Sequence, residues 1–168
     1  MIVHLTDGSP VLVRPIRPTD KAALLAGLTR LSPASAQKRF LSAKPSLSRA
    51  ELRYLTEVDG VDHHAVVALD PSRPEEIAAV GRYVRLLDDP ATAEAAIVVC
   101  DDMQGKGLGK QLAVLLADEA RRHGIARFSA DIMSDNEPAM KLMQTIADRL
   151  TDGGHDHGIH SVVASFAA

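Results

Sequence analysis

The chain has 168 residues, 46% of them apolar, a net charge of -3, and only 3% aromatic residues with no Trp. That length suits one domain with a substantial core, expected over residues 1–168. The charge excludes a global basic field for nucleic acid, the scarcity of aromatics argues against base-stacking platforms, and no apolar run approaches the roughly 20 residues of a membrane span.

Residues 1–8 lack a basic region followed by an apolar stretch, so no signal peptide is read there. After the Asp7-Gly8-Ser9-Pro10 turn, residues 11–17 alternate loosely and predict a first strand. Thr19 or Asp20 can cap a helix over 21–31, and Ser32-Pro33 starts a second that runs to about residue 43. Ser48 caps a short helix over 49–56. Strands follow at 65–69, 77–87 and 92–100, the first two separated by the turn at Asp70-Pro71-Ser72-Arg73-Pro74. Cys100 ends the third; a single cysteine cannot form an internal disulfide and fits a reducing cytoplasm. A helix over 107–123 carries Leu108, Leu112, Leu115, Leu116 and Ala120 on one face and stops at Gly124. A strand at 126–133, a helix at 136–149, a polar loop at 151–158 and a last strand at 159–166 complete the chain. This order predicts an α/β (α+β) fold: a mixed central sheet with helices on both faces.

The most informative residues are Gln104, Gly105, Lys106, Gly107, Leu108 and Gly109, between an apolar strand and an amphipathic helix. Glycine at a helix start costs roughly 0.5–1 kcal/mol relative to alanine. Three in five positions make sense where bare backbone N–H groups must lie against an anion at the positive end of the helix. The mononucleotide P-loop is excluded because Lys110 is followed by Gln111 rather than a metal-binding Ser or Thr. The dinucleotide fingerprint is excluded because Lys110 stands where its third glycine belongs.

The remaining pattern, Q-x-x-G-x-G, resembles the acyl-CoA pyrophosphate loop of the GNAT superfamily of N-acetyltransferases. The order of elements resembles that fold over nearly the whole chain. Further echoes resemble one branch, the acetyltransferase domain of bacterial Pat-type protein lysine acetyltransferases. They include Arg14-Pro15-Ile16-Arg17-Pro18-Thr19-Asp20, Arg39-Phe40, Leu47-Ser48-Arg49-Ala50-Glu51-Leu52, Ala93-Glu94, Asp101-Asp102-Met103-Gln104 and Arg121-Arg122-His123-Gly124-Ile125. In that branch the domain is often fused to a synthetase-like or cyclic-nucleotide-binding region, and neither is present in these 168 residues.

The resemblance implies transfer of acetyl from acetyl-CoA, as cosubstrate, to an amine acceptor. A protein lysine leads. A small amine or amino-acid derivative, or a regulatory module that binds acyl-CoA without turnover, stays open, as does a second copy of the chain as partner. Glu94 is implied as the general base, since a lysine amine with a pKa near 10.4 must lose a proton before attack. Strand alternation sets Glu94, Ala96 and Val98 on one face, and burial beside small apolar residues would raise the carboxyl pKa. Ile97, Val98 and Val99 are implied to bind the pantetheine arm through main-chain atoms, with a backbone N–H near Val99 facing the developing oxyanion. Gln104 to Gly109 would wrap the pyrophosphate. Lys106 and Lys110 would neutralise it or stay solvated. Asn136 would hold the pantetheine arm or simply cap its helix.

Two departures stand out. Tyr54 and Tyr83, the two tyrosines, are not in the later helix where relatives place a tyrosine as acid for the thiolate, so the acid is unassigned. Relatives also continue with Gly-Phe after the last helix, where this chain reads Ala147 to Gly154. His155, His157 and His160 match no standard zinc spacing, and no metal is expected. His63-His64 reads as a strand-edge pair.

Overall fold

The computed structural model describes residues 1–41 and 46–166. Among these, eight strands and five α-helices occur in chain order: β1 (Ile2–His4), β2 (Pro10–Pro15), α1 (Lys21–Thr29), α2 (Pro33–Phe40), α3 (Arg49–Thr56), β3 (His63–Leu69), β4 (Ile77–Arg85), β5 (Thr92–Val99), α4 (Leu108–Arg122), β6 (Arg127–Met133), α5 (Glu137–Ile146), β7 (Arg149–Asp156) and β8 (Ile159–Ser165). The expected end of the second helix, near residue 43, lies outside the described residues.

The strands form one sheet in the order β1-β2-β3-β4-β5-β6-β8-β7. Every neighbouring pair is antiparallel except β5 with β6. One face packs α4 and α5 over Tyr83, Ala93, Phe128, Ile132 and Val162. The other buries Ile16, Ala65, Val67, Ile77 and Val80 with α1. Residues 65–69 are buried on both faces, which explains their unbroken apolar run.

Local signals set the helix ends. Ser32 Oγ accepts from the Ser35 N–H at 3.1 Å ahead of Pro33. Ser48 and Glu51 form a reciprocal capping box. The stripe of α4 is Leu108, Leu112, Leu116 and Ala120, all buried, whereas Leu115 packs only at the margin. Asp20 is not a side-chain cap: its carboxylate is buried and receives both Arg14 Nη groups at 2.8 Å and the Arg17 N–H at 2.7 Å.

Three expectations need correction. Residues 2–4 form β1, too short to leave a periodic signal. The last helix stops at Ile146 rather than residue 149, with Ala147 already extended. The polar loop at 151–158 is mostly strand β7, whose eight residues are all exposed. β7 is an edge strand held by its backbone ladder to β8, so no apolar alternation marks it.

Candidate functional site

β5 and β6 pair at only three positions: Thr92 with Arg127, Ala93 with Phe128, and Glu94 with Ser129. Beyond them β5 stays paired to β4 as far as Val99, and β6 stays paired to β8 as far as Met133. The two strands therefore diverge, and a cleft lined by Arg39, Ala96, Ile97, Ala130, Asn136 and Leu142 opens between them.

Two hydrogen bonds fix which main-chain groups face that cleft. The Cys100 N–H donates to Ala78 O at 2.8 Å, and the Leu86 N–H donates to Thr92 O at 2.9 Å. Alternation along an antiparallel ladder then turns the peptide groups of Glu94, Ala96 and Val98 toward β4, and those of Ala95, Ile97 and Val99 toward the β6 side, where Ile97 and Val99 lie beyond the last pair and face the cleft. Gln104 Nε2 donates to Val99 O at 3.0 Å, closing one end. Ile97 and Val99 thus sit where a bound chain could pair with their backbone. Val98 does not: its main chain is taken up opposite Val80, which corrects the expectation that all three residues present free main-chain groups.

The glycine loop joins the wide end of this cleft to α4. Gly105 and Gly107 adopt φ of +74° and +82°, a region that favours glycine. Gly107 precedes the first residue of α4, and no side chain caps that end. The first N–H groups of the 15-residue helix, at Leu108, Gly109 and Lys110, therefore lack intrahelical partners and lie at its positive end. Such an end suits an anion. Glycine at 107 is also required by the fold, because a Cβ there would lie 3.1 Å from Thr6 Cγ2 as well as on a left-handed backbone. The Thr6 N–H also donates to Lys106 O at 3.0 Å, so the N-terminal segment braces the loop. At Gly109 a Cβ would lie 3.4 Å from Leu142 Cδ1, a contact set by the packing of α4 on α5. Lys106 Nζ is 3.8 Å from Asp7 Oδ2, which shares its charge, while the Lys110 side chain is exposed.

Glu94 lies at the point where the ladder stops, on the face opposite α4 and α5 and beside Ser129. It is exposed, so the burial expected beside its small apolar neighbours is absent. Its side chain makes no hydrogen bond among the described residues. Arg39 of α2 stands near enough to interact with its charge and lines the cleft. Arg39 also lines a second, mainly apolar cleft on the same side, with Arg82, Leu24, Leu28, Leu55 and Val98.

Arg82 is 6% exposed; its Nη1 donates to Leu55 O at 3.2 Å and lies 3.0 Å from His63 Nε2. Burial first, then the charge of Arg39, lowers the Arg82 pKa to about 10. Burial and the Arg82 charge lower that of His63 to about 4, so at neutral pH His63 accepts the hydrogen bond as a neutral ring. Among the described residues neither Arg39 nor Arg82 forms a salt bridge. This pair left one readable sign in the sequence, an arginine within the apolar strand Ile77–Arg85, and its partner Arg39 left none.

Asn136 caps α5, its Oδ1 accepting from the Ala139 N–H at 3.3 Å, and also lines the cleft. Tyr83 is fully buried with its hydroxyl 2.9 Å from His123 Nδ1, and burial pushes its pKa up to about 12. Tyr54 is exposed on α3 beside His63, with ring centroids 4.8 Å apart. Neither tyrosine lies on α5.

Residues 34–147 match the model of the acetyltransferase (GNAT) family. The chain is 34% identical over 144 residues to Acetyltransferase Pat of Mycolicibacterium smegmatis, covering 86% of this chain and 43% of that protein. It is 37% identical over 133 residues to Acetyltransferase PA5475 of Pseudomonas aeruginosa, covering 77% of this chain and 70% of that one. The crystal structure of the GNAT domain of S. lividans PAT superposes with a TM-score of 0.87 at 29% identity, over 99% of this chain and 96% of that domain. The mixed sheet expected from the sequence is the arrangement found there. No helix among the described residues is long and apolar enough to cross a membrane.

Proposed function

From the premise that the chain belongs to the acetyltransferase (GNAT) family, we propose that it moves an acetyl group from acetyl-CoA to a primary amine, with Glu94 as general base. The observation that carries this reading is the end of the β5–β6 ladder at Glu94, directly before the residues Ala95, Ala96 and Ile97 that line the cleft. The exposed N–H groups of α4 would hold the diphosphate, and Ile97 and Val99 would pair with the amides of the pantetheine arm. Acetyl-CoA, when bound, supplies the acyl group as a thioester with a tolerable thiolate leaving group.

The remaining work belongs to the chain. At neutral pH an amine with a pKa near 10.4 arrives protonated. Glu94, its carboxylate open to solvent and without a hydrogen bond among the described residues, would take that proton directly or through a water. The Val99 N–H faces the cleft and is the candidate donor to the carbonyl oxygen as its charge grows. Arg39, near enough to interact with the Glu94 charge, would help to position the carboxylate.

The leading acceptor is a protein lysine side chain, on the likeness to the Pat branch. A second reading, a small amine that carries a carboxylate, is favoured by Arg39 and Arg82 beside an apolar cleft on the Glu94 face. CoA release distinguishes them when lysine peptides, small amines and small amino acids are offered to the wild type and Glu94→Gln. Turnover on peptides that disappears in the variant supports the first reading. Turnover confined to carboxylated small amines supports the second. Tight acetyl-CoA binding with no turnover on any amine would replace both with a binding module.

A further inference from the structure

The strands β7 and β8 meet at the far edge of the sheet from the glycine loop's N-terminal brace, and their pairing is irregular at one point. Asp152 stands opposite Val162, but Gly154 stands opposite Ser161, so Gly153 is an extra residue. Residues three apart on a strand ordinarily point to opposite faces. The extra residue cancels that rule, because Asp152 is opposite Val162 and His155 is opposite His160, and Val162 and His160 are two apart on β8. Asp152, His155 and His160 therefore project from one face. The bulge demands glycine at 153, where a Cβ would lie 3.1 Å from Ser161 O.

One donor atom from each of the three side chains lies within 4.8 Å of the others. His160 Nε2 is 3.1 Å from Asp152 Oδ1, and the rings of His155 and His160 stack with centroids 3.7 Å apart. Two ligands bound to one zinc at about 2.0–2.1 Å in tetrahedral array stand roughly 3.3 Å apart, so the His160–Asp152 edge already has that length. The Gly154 N–H donates to Asp152 Oδ1 at 2.7 Å, orienting the carboxylate and holding its pKa below the usual carboxylate range. His157 is not part of the group: it occupies the hairpin turn at φ +47° with a side chain 90% exposed. The histidine spacing in the sequence concealed the site because one of its three histidines is irrelevant and the third ligand is an aspartate.

We propose that Asp152, His155 and His160 form a surface site for a divalent transition metal of the zinc type, completed by water. Two imidazoles and a carboxylate are a donor set suited to Zn²⁺. The ion would cross-link the edge strand β7, which buries none of its side chains, to β8.

The test is a titration of the full, untagged chain with zinc chloride by calorimetry, repeated with cobalt chloride read by its visible absorption bands. The expected result is one metal per chain and a thermal midpoint that rises with zinc. Asp152→Ala, His155→Ala and His160→Ala each weaken binding at least ten-fold and lose the zinc-dependent rise. His157→Ala binds within two-fold of wild type. All four positions are exposed or half-buried, and circular dichroism verifies that each variant folds. No stoichiometric binding by the wild type, or a loss in His157→Ala equal to that in His155→Ala, overturns the proposal.

Discussion

The seam between β5 and β6 has two ends built to opposite purposes. At the closed end the strands pair directly, and side chains reinforce them. Arg127 Nε donates to Thr92 Oγ1 at 2.9 Å, Arg127 Nη2 donates to Asp89 at 3.0 and 3.2 Å, and the Thr92 hydroxyl donates to the same carboxylate. At the open end the peptide groups of Ile97 and Val99 face a cleft, with Gln104 reaching back to Val99 O. Buried backbone groups without partners are costly, so an open seam persists only because β4 and β8 hold the two strands firmly from outside. Stability is concentrated at one end, and unpaired backbone, an uncapped helix and a carboxylate at the other.

That contrast can be broken or sharpened by substitution. The largest effect is expected at the open end. Glu94→Gln should lower turnover by about 10²–10⁴-fold with acetyl-CoA affinity unchanged, read by steady-state CoA release and calorimetry. Equal turnover in both proteins removes Glu94 as the base. Gly107→Val comes next: a left-handed backbone and the 3.1 Å approach to Thr6 must both give way. Acetyl-CoA affinity should fall at least ten-fold, with a loss of about 1–3 kcal/mol in stability by urea unfolding. An unchanged affinity would separate the loop from cofactor binding.

At the closed end the pattern should invert. Thr92→Val leaves Arg127 and Asp89 without their shared hydroxyl, and should cost about 1–2 kcal/mol of stability while KM for acetyl-CoA stays within two-fold. A large change in KM with normal stability would contradict the division of the seam.

The smallest effect is a pH dependence on the Glu94 face. His63 has a folded-state pKa of about 4 against 6.5 for a free histidine. Below 6.5 the unfolded chain binds a proton that the folded chain refuses, so stability present above 6.5 is lost as pH falls toward 4. Urea midpoints between pH 7 and 5 should fall more steeply for wild type than for His63→Gln. Parallel profiles would remove His63 from the account of that face.

The legibility of these features in the sequence follows their physics. The glycine loop and α4 were readable because a buried stripe and a backbone that demands glycine both leave marks in residue type. Glu94 was readable by likeness and by the alternation of β5, but its exposure was not, since that depends on β6 leaving the strand. The peptide direction at Val98 depends on the register with β4, which no single strand encodes. β7 was missed because backbone pairing alone holds an exposed edge strand, and the Gly153 bulge that gathers Asp152, His155 and His160 is visible only once β8 is laid beside it.

The most direct measurement is residue-resolved amide hydrogen exchange with and without saturating acetyl-CoA. The Ile97 and Val99 amides should gain protection on binding, together with those at Leu108 to Lys110, while Val98, already paired with β4, should change little. Saturation that leaves Ile97 and Val99 exchanging as in the free chain, with protection gained elsewhere, would contradict the assignment of the open seam as the acetyl-CoA site.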